Sequence, residues 1–331
     1  MTPSDGLNDV RAAIKRAIGA ERLRDLHRPS RLADALGVLV YWGAPVGLFI
    51  ALARLPFGQL WGLAFVAQGF AFQCLGLLSH DAFNHRRIWG DRLSWIGAMV
   101  SSFPVLLCPT WYRISHRDHH AYLGTARDTE TYKQNLDTVL KRAAFLTLPG
   151  DRLAKLGRLS AADAPMPEIL PGTPTERRRL RIERVCLVLF LVGVAACAVR
   201  WPGPVLCGYV LPLAIVTPLA SSLRIILEHA DVDPDNRFHL GTYYRTGRVT
   251  RFLFVADSGD CHLVHHIFSQ IPWYRMGEAT RLMRPVLIGN GVVERASLRQ
   301  LLVGWFIRGF PHRSLWFAAS PSPAPQPASD A

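Results

Sequence analysis

Charged residues are missing from four long stretches of this 331-residue chain: 35–53, 57–79, 185–199 and 201–223 contain no Asp, Glu, Lys or Arg. Soluble cores spread their apolar residues with helical or strand period, so this pattern argues against an ordinary soluble domain. Each run approaches the roughly 20 residues with which a helix crosses a bilayer core. The six cysteines include no C-x-x-C pair and most lie inside apolar runs, which argues against a disulfide frame or an iron–sulfur cluster. The polar, basic segment 1–31 has no short apolar core followed by small residues, so insertion without a cleavable signal is expected. No internal repeat of fixed period is present.

The breaks within each pair of runs are short and made of helix stoppers: Arg54-Leu55-Pro56, and Arg200-Trp201-Pro202-Gly203-Pro204. The expected fold is therefore an all-α integral membrane protein of four transmembrane helices in two hairpins, with spans near 34–55, 57–79, 182–200 and 204–227. Each break holds one basic residue, and all the other Lys and Arg of the 38 lie on the opposite side, which the positive-inside rule assigns to the cytoplasm. The N-terminus, the middle loop and the C-terminal third are then cytoplasmic; in a bacterium the membrane would be the inner one. The net charge of +13 follows mostly from that topology, and it also suits docking of an acidic protein. No nucleic-acid partner is expected.

Leu7, Val10, Ile14 and Ile18 recur at helical spacing with Arg11, Lys15 and Arg16 between them, so 1–33 reads as a basic amphipathic segment, on the membrane or facing solvent. The uncharged stretch 93–112 could be counted as a fifth span, but its crossing would separate two histidine clusters across the bilayer. With Ser101, Ser102, Pro104 and Pro109 in it, it is expected to dip in or lie along the interface. The polar connection 134–181 is placed to cap a site. Leu298, Leu301, Leu302, Trp305 and Phe306 mark an interfacial helix within a C-terminal part, 276–318, and the Pro/Ser/Ala-rich 319–331 reads as a disordered tail.

Nine of the twelve histidines fall in three boxes and one isolated position beside these runs: His80/His85, His116/His119/His120, His262/His265/His266, and His229. On a helix, residues at i, i+3 and i+4 share a face, so each triplet can aim at one point. His80 and His85 stand about 140° apart on an ideal helix, so they serve different ions or the helix loosens at the end of the second span. One ion cannot use nine imidazoles, since zinc takes about four ligands and octahedral first-row ions about six. Two ions with four or five rings each would use them all and leave an open position. Imidazole suits zinc, copper, nickel and iron alike; so many neutral donors beside membrane spans point to oxidation of an apolar substrate, and iron is expected from that setting because attack on an unactivated C–H bond needs a redox-active centre. Asp81, Asp118, Glu228, Asp231 and Asp260 stand within two positions of a box or of His229, where they could accept a ring N–H and orient a ligand.

With these boxes the chain resembles the integral-membrane fatty acid desaturase superfamily, whose members carry H-x(3-4)-H, H-x(2-3)-H-H and a late H/Q-x(2-3)-H-H. The likeness covers roughly 35–275 and extends to Ser79-His80-Asp81-Ala82 and Ile271-Pro272-Trp273-Tyr274. It implies a catalytic domain over 34–275: a four-span bundle under a cytoplasmic helical cap that holds two iron ions, with His229 as the ligand after the fourth span. It also implies dioxygen as co-substrate and hydrogen removal from a methylene of a fatty acyl chain, carried as acyl-lipid or acyl-CoA. Loss of a second hydrogen gives a double bond and return of oxygen an alcohol. Trp89, Trp111, Tyr112 and Trp273 are candidates for the substrate mouth.

Ile225 stands where animal acyl-CoA desaturases carry a water-bridged Asn, and the third box begins with His262 rather than Gln. With no haem-binding or other redox module visible, electrons are expected from a separate carrier such as a ferredoxin with its reductase. A hydroxylase, ketolase or decarboxylase of the same superfamily acting on an alkane, fatty acid or carotenoid is the nearest alternative. A membrane metal transporter is the alternative of another class, and it would show no reductant-dependent dioxygen uptake.

Overall fold

The computed structural model describes residues 3–123, 138–147, 173–229, 236–295 and 297–308, and among these there is no strand. Two short helices open the chain, α1 Pro3–Ile18 and α2 Ala20–His27. The first long helix, α3 Arg31–Arg54, begins at Ser30, whose hydroxyl accepts from the Ala33 amide. It ends before Pro56, whose ring disfavours helical backbone at Leu55. The second, α4 Gln59–His85, packs along α3. Then come α5 Gly90–Ser102, α6 Pro109–Tyr122 and α7 Val139–Thr147.

The second pair of long helices is α8 Pro174–Arg200 and α9 Pro202–His229. A reciprocal cap between Thr173 and Glu176 starts α8. The remaining helices, α10 Arg248–Leu253, α11 Asp260–Ile267, α12 Trp273–Gly289 and α13 Leu298–Arg308, are short and follow the last long one.

The helices α3, α4, α8 and α9 are each long and apolar enough to cross a membrane. Their outward faces carry exposed Leu36, Leu39, Val46 and Ile50 on α3, and Val185, Val188, Leu189 and Val192 on α8. Only 6% of the apolar window of α8 is buried, so lipid is the solvent that this surface fits. The long helices overrun the uncharged stretches at their polar ends: α4 continues to His85 and α9 to His229. That extension carries His80, His85 and His229 beyond the uncharged stretches while keeping them on rigid elements.

Close contact holds α4 to α9. Gln68 donates to the Gly208 carbonyl at 2.8 Å, and the Thr217 hydroxyl donates to the Gly69 carbonyl at 3.1 Å. A Cβ on Gly69 would lie 2.3 Å from Val216 Cβ and 3.1 Å from the Thr217 amide nitrogen, so backbone limits any adjustment. Gly69→Ala is expected to destabilise the fold by about 1–3 kcal/mol, read as a lowered apparent Tm of the detergent-solubilised protein.

Between α5 and α6 the chain turns through 95°, the geometry of a broken span or a re-entrant segment. His85, before this segment, and His120, near its end, have ring centroids 5.3 Å apart. The segment 93–112 therefore does not separate the two boxes.

Two helices, α1, expected on the membrane or facing solvent, and α13, expected at the interface, pack their apolar stripes on protein. In α1, Val10 and Ile14 are fully buried with Leu263, Ile267, Met276 and Met283, and the Arg11 guanidinium donates to the Ile267 carbonyl at 2.7 Å. In α13, Leu301 and Trp305 are buried, Trp305 with Phe145, Ile225 and Ile226. An apolar stripe on a basic helix fits a protein groove as well as a membrane surface, and here the protein covers it. Most of the proposed cap 134–181, Asp231 and the tail 319–331 lie outside the described residues.

Candidate metal centre

The last seven residues of α4, Ser79–His85, are wound as a π-helix, and the Arg86 amide accordingly donates to the Asp81 carbonyl, five residues back. That winding returns His85 to the face of His80, with Nε2 atoms 3.0 Å apart where an α-helix would splay them. The π turn is clamped from several directions. Ser79 donates to the Ala98 carbonyl and accepts from Ser102, while Phe83 lies against Gly97, whose missing Cβ would stand 2.6 Å from the ring. Arg86 reaches Asp34 at 2.9 and 3.0 Å with its guanidinium over the Tyr274 ring.

Five rings gather around this turn: His80, His85, His116, His120 and His265. His80 Nε2 lies 2.7 Å from His116 Nε2, and His120 Nε2 lies 2.9 Å from the same atom. The His265 ring stands 4.8–5.1 Å, centroid to centroid, from His80, His85 and His120. Four rings form a second group. His262 and His266 bring Nε2 within 2.8 and 3.3 Å of His229 Nε2, and His119 stands 5.2 and 5.0 Å, by centroid, from His229 and His266. The groups are adjacent: the His120 and His266 rings are 4.4 Å apart. Helix spacing makes this possible, since each H-x-x-H-H places its rings on one face and divides them between the two groups.

The donor set fits metal ions. Ring nitrogens crowd at about 3 Å with too few protons to bridge them all, and the buried His265 Nε2 has no hydrogen-bond partner among the described residues. Ligand atoms at right angles on an ion with ~2.1 Å bonds lie roughly 3 Å apart. Burial, reinforced by the neighbouring rings, holds His266 well below its ordinary pKa, and burial does the same for His265 despite the pull of Asp257. These two rings are then neutral at pH 7, with lone pairs available.

The acids chosen from sequence proximity go elsewhere for the most part. Asp81 faces Arg86, Asp118 faces Arg117, and Asp260 accepts from the Thr246 hydroxyl and amide. Glu228 pairs with Arg224 at 3.0 Å and comes to 3.7 Å from His262 Nδ1. Among the described residues, the carboxylate within hydrogen-bond distance of a box ring is Asp257, 2.6 Å from His262 Nδ1. It stands five residues before the box, outside the window of near neighbours, and the left-handed backbone at Val255, Ala256 and Gly259 folds it back. Burial, which favours its neutral acid, is outweighed by His262 and by the Arg224 guanidinium, so Asp257 stays well below the ordinary carboxylate range.

Of the aromatic candidates, Tyr112 stacks on His116 with centroids 5.4 Å apart and so borders the five-ring group. Trp111, beside it on α6, is half-buried. Trp89, 40% exposed, touches Trp42 and Phe83, and Trp273 packs on Tyr41 and against Gly37.

The sequence profile described as fatty acid desaturase matches residues 60–297. The chain is 27% identical to an omega-3 fatty acid desaturase, chloroplastic, of Glycine max, over 93% of this chain and 72% of that protein. It is 26% identical to the acyl-lipid omega-3 desaturase (cytochrome b5), endoplasmic reticulum, of Arabidopsis thaliana, with 86% and 77% covered. It is 27% identical to the sn-2 acyl-lipid omega-3 desaturase (ferredoxin), chloroplastic, of Helianthus annuus, with 86% and 67% covered.

Proposed function

The chain belongs to the fatty acid desaturase family and is an oxidoreductase; from that premise we propose that it desaturates acyl chains of membrane lipids with two iron ions and dioxygen. His80, His85, His116, His120 and His265 would hold one iron, and His119, His229, His262 and His266 the other. The observation that carries this reading is the convergence of nine buried or half-buried rings, from four stretches far apart in the chain, into two adjacent groups. When bound, the irons supply the redox chemistry that lets dioxygen take hydrogen from a saturated chain. The protein's own part is to fix the orientation of nine imidazoles and to exclude water around seven of them.

The acyl-lipid form is favoured over acyl-CoA because two of the relatives carry acyl-lipid in their names. Relatives named for cytochrome b5 and for ferredoxin support an electron donor on a separate protein, which the excess of basic residues would attract. In this proposal the four long helices form two hairpins in one catalytic domain over 34–275, and the rings lie on the cytoplasmic side under the short helices. Activity as an oxidoreductase leaves the transporter reading without support.

Expression in a host that lacks polyunsaturated lipids, followed by mass spectrometry of phospholipid and acyl-CoA fractions, tests the proposal. A new double bond appearing first in phospholipid is expected. Its appearance first in acyl-CoA would contradict the acyl-lipid assignment, and a hydroxylated or chain-shortened product in its place would contradict desaturation.

A further inference from the structure

Asp257 lies in the turn between α10 and α11, 5% exposed, and this turn is pinned to the end of α9 by the Gly259 amide donating to the Leu227 carbonyl. Its two oxygens face two different rings. Oδ1 is 2.6 Å from His262 Nδ1, and Oδ2 is 3.5 Å from His80 Nδ1. The His80 Nδ1 atom is buried and has no other hydrogen-bond partner among the described residues, so Asp257 Oδ2 is the acceptor that an Nδ1–H of His80 faces. Arg224 stands 3.9 Å from the same Oδ2 and matches the buried charge.

The two rings belong to different groups. His262 turns its Nε2 to His229 and His266, and His80 turns its Nε2 to His85 and His116. We propose that Asp257 is a positioning residue shared by both metal positions: one carboxylate fixes the Nδ1–H tautomer of a ligand in each group and so sets the donor strength of both at once. An imidazole whose Nδ1–H is held by a carboxylate presents its Nε2 lone pair in a fixed direction and as a stronger base. A carboxylate serving one group alone would tune one ion; this one reaches both. The inference rests on the two-iron reading above, and the iron content of the parent protein tests that reading separately.

The test uses full-length, iron-loaded protein in detergent. Asp257→Asn is expected to weaken the hold on both irons, with release to a chelator faster by roughly 10–100-fold for each, and to shift the Mössbauer signature of both. Asp257→Glu, which keeps the charge but displaces it, is expected to fall between parent and Asp257→Asn, again for both irons, and it decides the matter if the asparagine variant does not stay monodisperse. Release and spectra at parent values, or a change confined to one iron, would overturn the inference. A parent protein without two irons would instead overturn the reading beneath it.

Discussion

Exchange of His119 or His265 for alanine is expected to abolish desaturation, with turnover falling on the order of 10³-fold or more, beyond the ~10–100-fold typical of groups that merely touch a ligand. The two residues sample different groups: His265 faces His80, His85 and His120, and His119 faces His229 and His266. Each ring is buried within its group, so no water or neighbouring side chain takes its place without rearrangement. His265→Ala should lose the iron of the five-ring group first and His119→Ala that of the four-ring group, so iron analysis should find one iron retained in each. His27→Ala removes a ring that packs on Phe268, outside both groups, and should leave product formation at the parent level. Lipid analysis of expressing cells, with iron content measured on the purified variants, checks all three. Full turnover in either of the first two would contradict the assignment of those rings.

The π winding of Ser79–His85 leads to an asymmetric expectation. Insertion of one alanine after Ala82 puts the two histidines six positions apart, which neither α nor π winding brings to one face. The five-ring group should then lose its iron, and activity should vanish. Deletion of Ala82 puts them four apart, and ordinary α winding returns them to a common face about 40° apart. Iron binding should therefore survive the deletion. Iron content of the two variants separates the outcomes; equal loss in both would mean that the clamps on Ser79, Phe83 and Arg86, rather than the winding, set the pair.

Much of this arrangement was legible in the sequence, because membrane insertion and metal binding both leave strong local patterns. Uncharged runs located the four long helices, and the His80/His85 spacing foretold loosened winding at the end of the second. The need to keep the first two histidine boxes on one side of the bilayer kept 93–112 from being counted as a crossing. What the sequence did not disclose depends on tertiary contact. The stripe of Val10 and Ile14 on a basic helix is compatible with a membrane surface or a protein groove, and only the packing on Met276 and Met283 decides it. Asp257 was missed because nearness in sequence is a poor guide to carboxylates: Asp81 and Asp118 abut histidines yet face arginines, whereas a left-handed turn brings Asp257 back from five positions away. Trp89 and Trp273 are aromatic residues near the boxes in sequence, but which side chains they pack on depends on tertiary contact: Trp89 meets Phe83 and Trp273 meets Tyr41.

The most direct test of the central claim is the metal content of active protein purified from membranes, by elemental analysis together with Mössbauer spectroscopy of isotopically enriched iron. Two irons per chain, both in nitrogen-rich surroundings, are the predicted result. One iron or none per chain, in protein that still converts its substrate at full rate, would contradict it.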